Sequence, residues 1–290
     1  MVKMRGLASE TVSGRRAEAY RFLGWLGERV NCKPLAIGSA DLDTYMKGRA
    51  ESLRRPSIKG VATNLRSFLR WLHSTKRSVQ NLSTFVMAPS LYAFESIPSA
   101  LRPQEITKIL SIARQDRSRI GLRDYAILML LAEYGVRAGE ITRLRLDDVD
   151  WRKEVIRIRH RKTGVTSWLP LLPDVGEAIL RYLKQSRPKT SFREIFIRGM
   201  APYRPFQSGS SLYTRARYRI DGAGIPNGGK RGPHAFRHAR AASMTRASVP
   251  LKAIGDLLGH RSSESTLVYL KLATEDLREV ALEIPVEVKQ

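Results

Sequence analysis

Apolar residues in the first third of the chain recur at the spacing of amphipathic helices. Between residues 56 and 74 they follow a 3-4-3-4 pattern, which places them on one face of a helix that Pro56 could begin. Similar patterns predict a helix over Thr11–Val30 and a second helix capped by Ser39. We therefore predict a small helical domain over residues 1–88. Its apolar positions are Phe22, Leu23, Trp25, Leu26 and Val30, then Leu42, Tyr45 and Met46, then Ile58, Val61, Leu65, Phe68 and Leu72.

The pattern is interrupted after this domain and then resumes. Residues 89–100 contain two prolines, no Lys or Arg, and no clear period, which is typical of an interdomain linker. A helix is predicted to begin at Pro103, and a strongly apolar helix over Tyr125–Tyr134 is predicted to stop at Gly135. We assign residues 101–290 to a second domain.

Strict alternation appears only after Asp150. EVIRIRHR alternates apolar and polar residues and is followed by KTGVTS and then WLPLL, which predicts a β-hairpin with Thr163 and Gly164 near its turn. The segments beyond Pro173 are mostly helical and are broken by loops rich in Gly and Pro. The predicted fold class is mainly α with a small β-hairpin or sheet, an α+β fold.

The net charge of the chain predicts the kind of partner it binds. Lys plus Arg is 51 and Asp plus Glu is 27, a net charge of +24, divided as +9 over residues 1–100 and +15 over residues 101–290. A basic excess in both domains favours a polyanion bound along a long surface. Lys59, Arg66 and Arg70 lie opposite the apolar stripe of the third helix, where they either face solvent or contact phosphate.

Cysteine usage and hydropathy exclude several classes. The single cysteine, Cys32, rules out a disulfide framework and a cysteine-rich metal site. The N-terminus lacks the apolar region of a signal peptide, and the longest apolar run, of about eight residues, is well short of the roughly 20 that span a bilayer. The expected protein is soluble and cytoplasmic.

Four short stretches carry the residues typical of chemistry on an anion. They are YGVRAGEITRLRLDDVD with Arg137, HRKTGVTSWLPL with Lys162, PHAFRHARAA with His234 and Arg237, and LLGHRSSESTLVYLKL with His260 and Tyr269. His234 and Arg237 are three residues apart, so on a helix they would share a face.

In this order the motifs resemble the tyrosine recombinases, the phage integrase family. GVRAGE is similar to that family's first Arg box, and HAFRH to its His-x-x-Arg box with Phe236 where Leu is usual. LGH followed by Tyr nine residues after the His resembles the third box. Each string alone is common, but the four in order cover about residues 101–275.

The resemblance implies a mechanism and a set of roles. Arg137 and Arg237 would bind the non-bridging oxygens of a phosphodiester, a task that suits planar, permanently charged guanidiniums. Tyr269 would be the nucleophile, with His234 as its base and Lys162 as the acid for the leaving oxygen. His260 would hydrogen-bond the phosphate. The resemblance implies no cofactor and no metal.

Each candidate also has a plainer interpretation. Arg137 could be a surface cation, His260 could follow a helix that ends at Gly259, and Tyr269 could be a core residue. Lys153 is a rival to Lys162, although it precedes the first strand of the hairpin. His234 and His238 could form a metal pair at i and i+4, but the sequence offers no evident third ligand.

The acidic residues nearby are expected to be structural. Glu140 is expected to be a buried partner of neighbouring groups. Asp147, Asp148 and Asp150 are expected to cap or terminate a helix before the hairpin.

The sequence thus predicts a site-specific DNA recombinase. The resemblance implies a SAM-like helical core-binding domain and a catalytic domain that together clamp duplex DNA, with four protomers assembling on two DNA sites from monomers in solution. The segment 274–290 packs either on a neighbour or on its own domain. Three alternatives stay open: a type IB topoisomerase, a DNA-binding regulator without catalysis, and a nucleic-acid-coating protein.

Overall fold

The structure is a computed structural model, and it describes residues 6–7, 9–29, 37–92, 100–161, 163–226, 231–259 and 266. The chain divides into two compact units, Met1–Glu95 and Ser96–Gln290. The predicted domain bounds of 1–88 and 101–290 stay predictions. Cys32 and residues 274–290 lie outside the described residues.

The described part of the first unit contains three helices and a short 3-10 turn. They are α1 (Ser9–Arg29), α2 (Ser39–Ser52), α3 (Arg55–Ser74) and the 3-10 turn Leu82–Thr84. The helix predicted to begin around Pro56 is confirmed, with Pro56 in its first turn. The apolar stripe of α3 packs with α1 and α2 in one core, which includes Phe22, Leu26, Leu42, Tyr45, Leu65 and Leu69.

The cap of α2 differs from the sequence prediction, and Arg66 of α3 has an additional contact. Ser39 is the first helical residue of α2, and the cap is Gly38, whose N–H donates to Asp41 Oδ2 over 2.9 Å. Asp41 at the third helical position therefore accepts the N–H of the cap residue, whereas the glycine has no side chain to accept an N–H of the first turn. Arg66 donates from Nη2 to the carbonyl oxygen of Val86 over 2.7 Å, so it ties α3 to the segment after the 3-10 turn.

The second unit contains seven helices in its described part, around one large core and a smaller cluster shared by the last two helices. They are α4 (Pro103–Gln115), α5 (Arg119–Tyr134), α6 (Ala138–Ile141), α7 (Pro173–Gln185), α8 (Ser210–Gly222), α9 (Pro233–Arg246) and α10 (Leu251–Leu258). The predicted helix start at Pro103 is confirmed. A 3-10 turn, Leu146–Asp148, leads into the sheet.

Helix α5 runs through the middle of this core. Ser118 caps it by accepting a hydrogen bond from the N–H of Gly121, and most of the helix is buried against α4, α7 and α9. Burying a leucine side chain fully contributes roughly 1.5–3 kcal/mol, so an apolar run such as Leu128–Leu131 fixes α5 as the central element. The helix ends at Gly135, as predicted, in the left-handed conformation at φ 61°.

The predicted hairpin is confirmed as part of a three-stranded antiparallel sheet. Its strands are β1 (Val149–Asp150), β2 (Val155–His160) and β3 (Val165–Pro170), in the order β1-β2-β3. Val155 pairs with Pro170 and His160 with Val165. Because side chains alternate along a strand, β2 turns Ile156, Ile158 and His160 into the protein, and this places one histidine among apolar positions.

The described part of the chain is mainly helical with one small sheet, which confirms the predicted α+β class. No helix in the described ranges combines the length and the hydropathy needed to cross a membrane.

Candidate active site

Arg137 stands at the junction between two helices. The left-handed turn at Gly135 ends α5, and Arg137 is the N-cap of the four-residue helix α6 in extended conformation. A Cβ at Gly135 would lie 3.0 Å from Leu258 Cδ2, so the glycine serves both the turn and the close approach of α10. The chain reversal directs the Arg137 side chain toward the end of α10.

Glu140 fixes Arg137 through two hydrogen bonds. Its carboxylate accepts the backbone N–H of Arg137 at 2.8 Å through Oε2 and Arg137 Nη1 at 3.0 Å through Oε1. His160 Nδ1 lies 2.9 Å from the same Oε1. Burial alone would raise the pKa of Glu140, but the hydrogen bond from His160 and those from Arg137 hold it below its ordinary value. The predicted structural role of Glu140 matches these contacts.

Arg237 approaches from α9 and is only 3% exposed. Its Nη1 donates to the carbonyl oxygen of Gly135 over 2.8 Å, and its Nη2 donates to the carbonyl oxygen of Leu258 over 2.7 Å. A buried guanidinium needs such partners, because an uncompensated charge in the interior is costly. Arg237 therefore joins the end of α5 to the end of α10.

The two arginines meet at consecutive peptide groups. Arg237 binds the carbonyl of Leu258, and Arg137 Nη2 donates to the carbonyl of Gly259 over 3.3 Å. Gly259 ends α10 in the left-handed conformation at φ 64°, as predicted for a helix C-terminus. The structure thus brings together two residues that are 100 positions apart in the sequence.

His234 and Arg137 line one cavity of about 440 Å³. His234 is the second residue of α9 and is exposed, and Arg143 and Arg161 add two more basic side chains to the lining. Three guanidiniums and an imidazole around an open cavity suit an oxyanion such as a phosphate. The full lining is Arg137, Ala138, Gly139, Glu140, Arg143, Arg161, Gly209, Ser210, Tyr213, Pro233 and His234.

Three predicted site residues, Lys162, His260 and Tyr269, lie outside the described residues. Their sequence neighbours are informative. Arg161 lines the cavity, and the carbonyl oxygen of Gly259 accepts a hydrogen bond from Arg137. Lys153, the rival lysine, is exposed in the turn before β2.

No metal cluster emerges from the described part of the chain. The rings of His234 and His238 have centroids 6.2 Å apart and are tilted by 31°. Within the ranges given above, no group of three or more His, Cys, Asp or Glu side chains is arranged to hold a metal ion.

The acidic motif before the hairpin does more than cap. Asp148 accepts the N–H of Arg145 at 3.0 Å, which is the predicted capping role. It also pairs with Arg157 and Arg159 on the outer face of β2, each at 2.7 Å. Asp150 accepts the N–H groups of Arg152 and Lys153 in the following turn. The motif therefore anchors the sheet as well as the turns around it.

Sequence reasoning missed His160 and Arg161. The imidazole of His160 is fully buried between Glu140 and Ser167, with Nε2 3.0 Å from Ser167 Oγ. The available signal was the alternation of β2, which puts a histidine where Ile156 and Ile158 set an apolar pattern. Arg161 carried no signal beyond its place beside Lys162.

The sequence profile described as "Phage integrase family" matches residues 99–276, which is most of the second unit. The chain belongs to the phage integrase family. This confirms the resemblance drawn from the four motifs, and the phage integrase chain is an enzyme of the tyrosine-type site-specific recombinase class.

Individual relatives agree with this membership. The chain is 54% identical over 189 residues to "Putative integrase/recombinase y4gC" of Sinorhizobium fredii, an alignment that covers 65% of this chain and 97% of the relative. It is 27% identical over 278 residues to "Tyrosine recombinase XerD" of Vibrio cholerae, covering 95% of this chain and 90% of the relative.

A solved structure supports the fold. The phage integrase chain superposes on "XerH site-specific recombinase bound to palindromic difH substrate: post-cleavage complex" with a TM-score of 0.74. The identity is 16%, and the match covers 95% of this chain and 80% of the other.

Proposed function

We propose that this protein cleaves and rejoins duplex DNA at a specific site through a 3′-phosphotyrosyl intermediate. The observation that carries the proposal is the convergence of Arg137 and Arg237 on Leu258 and Gly259, beside a cavity that His234 also lines. Family membership and the net charge of +24 support DNA as the substrate.

The proposed chemistry begins with binding of the scissile phosphate by the two arginines. Negative charge grows on the non-bridging oxygens as an in-line attack proceeds, and fixed guanidiniums stabilise that charge. His260 would donate a further hydrogen bond to the same phosphate. Because Arg237 is anchored by two carbonyls, its orientation is set before DNA arrives.

Tyr269 would supply the nucleophile. Its phenolic oxygen forms a bond to phosphorus while the bond from phosphorus to the 5′-oxygen breaks. His234 takes the phenolic proton, and Lys162 gives a proton to the leaving 5′-oxygen. The product is a 3′-phosphotyrosine and a free 5′-hydroxyl. Attack by the 5′-hydroxyl of a partner strand reverses these steps and releases the tyrosine.

Four protomers would act together. Each chain offers one proposed nucleophile, and exchange between two duplexes breaks four strands in all. A homotetramer on two DNA sites therefore provides one tyrosine for each break, and the protein would be a monomer before it binds DNA.

Covalent capture tests the proposal. Purified protein is incubated with sheared DNA from its own host, without added metal, and the reaction is stopped with SDS. Protein-linked DNA is then recovered and sequenced. Tyr269→Phe is run in parallel with Tyr218→Phe, a matched variant at an exposed tyrosine of the same unit.

We expect adducts from the wild type and Tyr218→Phe, focused on one sequence, and none from Tyr269→Phe. Adducts scattered over all sequences would favour a topoisomerase. Tight binding without any adduct would leave a DNA-binding protein and would contradict the proposed reaction.

A further inference from the structure

His160 is a buried histidine that the proposed chemistry does not use. It ends β2, two residues before Lys162 in the sequence, and its side chain is fully inaccessible to solvent. Both ring nitrogens have partners: Nδ1 lies 2.9 Å from Glu140 Oε1, and Nε2 lies 3.0 Å from Ser167 Oγ. The imidazole thus connects α6, through Glu140, to β3, through Ser167.

The partners assign the proton on Nδ1. An ionised carboxylate only accepts hydrogen bonds, and the pKa of Glu140 lies below its ordinary value, because its hydrogen bonds from His160 and Arg137 outweigh the effect of burial. Nδ1 must therefore carry hydrogen and donate to Glu140. The same oxygen of Glu140 accepts Arg137 Nη1, so His160 and Arg137 share one acceptor atom.

The ring also supports the backbone that Arg137 binds. A Cβ at Gly259 would lie 2.4–2.6 Å from atoms of the His160 ring, which means that the glycine backbone rests directly on the imidazole. Arg137 donates to the carbonyl of that glycine. His160 therefore contacts both groups that fix Arg137: the carboxylate on one side and the Gly259 backbone on the other.

We propose that His160 is a positioning residue, which holds Glu140 and the Gly259 backbone in the one arrangement that aims Arg137 at the phosphate. The inference rests on the proposed function for its meaning, since it deepens the role of Arg137. The two neighbouring inward positions of β2 are isoleucines, so filling this part of the core does not by itself require an imidazole.

Two amide substitutions test the contacts of His160 with Glu140 and with Ser167 separately. The amide nitrogen of asparagine falls near Nδ1, so His160→Asn keeps a donor toward Glu140. The longer glutamine places its amide near Nε2, so His160→Gln keeps the contact with Ser167 and loses the donor toward Glu140. Tyr134→Phe is a control for general destabilisation, because its hydroxyl binds the Pro170 carbonyl at the far end of the same hairpin.

The probe is the duplex recovered by covalent capture, nicked so that the short fragment with the 5′-hydroxyl diffuses away after cleavage. The single-turnover cleavage rate is measured at saturating DNA, beside DNA affinity and the melting temperature. A misdirected catalytic group slows a reaction by up to roughly 10²-fold. We expect His160→Gln to approach that loss and His160→Asn to stay within about threefold of the wild type, since it keeps the bond that directs Glu140.

DNA affinity should change little in either variant, because contacts to many phosphates dominate binding. Tyr134→Phe should lower the melting temperature without slowing cleavage. Equal cleavage losses in the asparagine and glutamine variants, or losses that follow the melting temperature as in Tyr134→Phe, would overturn the inference.

A second readout does not need activity. Hydrogen exchange of the backbone amides over Leu251–Gly259 should be faster in His160→Gln than in the wild type and nearly unchanged in His160→Asn. If the wild type forms no adduct, the proposed function fails, and this exchange pattern still reports whether His160 holds the Gly259 backbone. Unchanged exchange in both variants would overturn the positioning role on its own.

Discussion

Glu18 in the first unit and Glu140 in the second are both nearly inaccessible to solvent, and each accepts a hydrogen bond from an arginine. Glu18 also accepts the hydroxyl of Tyr45 at 2.6 Å, and Arg49 lies 3.5 Å from its Oε2. Glu140 binds Arg137 and His160, and Arg137 opens onto a cavity. A buried glutamate thus joins helices in the first unit, whereas a buried glutamate in the second unit orients a proposed catalytic group.

This difference predicts which property, stability or cleavage rate, a mutation near each glutamate will change. Changes around Glu18 should lower stability and leave chemistry intact. Changes around Glu140 should reduce the cleavage rate by more than any loss of stability explains.

The largest effect should come from the arginine partners. Arg137→Ala removes a cation from the proposed transition state and should slow single-turnover cleavage by roughly 10²–10³-fold. Arg49→Ala is the matched change beside Glu18 and should leave that rate unchanged at saturating DNA. A comparable slowing in both variants would remove the distinction between the two glutamates.

A smaller effect is expected when the glutamate at the site loses its charge. Glu140→Gln weakens charge-assisted bonds worth about 1.5–3 kcal/mol, so cleavage should fall by about 10–100-fold if the whole difference acts in the transition state. Glu18→Gln, tested in the same assay, should cleave at the wild-type rate. A wild-type rate in Glu140→Gln would show that its charge does not orient Arg137.

The pH dependence of stability follows from the same carboxylate. The pKa of Glu140 is lower in the folded protein than its ordinary value of 4.5. Its stabilising contribution is therefore complete above pH 4.5 and is lost as the pH falls through the lower, folded-state pKa. Melting temperatures of the wild type and Glu140→Gln, measured from neutral to acidic pH, should differ most above that value and converge below it. A constant difference across the range would contradict the assigned ionisation.

Stability of the first unit should respond to Tyr45→Phe. The hydroxyl donates to a buried carboxylate, a bond worth about 1.5–3 kcal/mol, and burial together with the Glu18 contact raises the Tyr45 pKa, so the phenol stays protonated. In a background without Trp151 and Trp168, fluorescence of Trp25 and Trp71 reports unfolding of this unit in denaturant. Unchanged unfolding would mean that the Glu18 contact adds nothing to stability.

The smallest effect should come from an exposed pair. Asp147 binds Arg193 at the surface, and Arg193 lowers the pKa of the Asp147 carboxyl through this hydrogen bond. Solvent screens such pairs, so Asp147→Asn should leave both the melting temperature and the cleavage rate within experimental error. A clear drop in either would show that exposure is a poor guide to the importance of these carboxylates.

Periodic segments could be predicted from sequence because a period states which face is buried. The stripe of α3 and the alternation of β2 are long enough to show one, and these two elements are found where expected. The second strand was expected over WLPLL, and β3 begins three residues earlier, at Val165. The end of α5 at Gly135 could also be predicted, because a glycine after an apolar helix favours the left-handed turn.

Short elements had no period to detect. Helix α6 has four residues and β1 has two, so each depends on tertiary contacts rather than on its own sequence. The cap of α2 shows a related limit. Ser39 was the expected cap, and the backbone geometry places Gly38 at that position instead.

The site followed a similar division. Motif order brought Arg137, His234 and Arg237 into one hypothesis, and the structure brings the two arginines to adjacent carbonyls. The part played by His160 depends on contacts across four elements, which no local pattern encodes. The roles of Lys162, His260 and Tyr269 stay predictions.

The hydrogen bonds to the carbonyls of Leu258 and Gly259 affect the entropy of DNA binding. A free arginine side chain has about 2 kcal/mol of rotamer entropy, and fixing it on a ligand removes part of that freedom. Arg137 and Arg237 are already fixed by Gly259, Leu258 and Gly135 before any phosphate is present. The entropy is therefore lost once, when the chain folds, and under the proposed function it would not weaken the contacts between the two arginines and a phosphate.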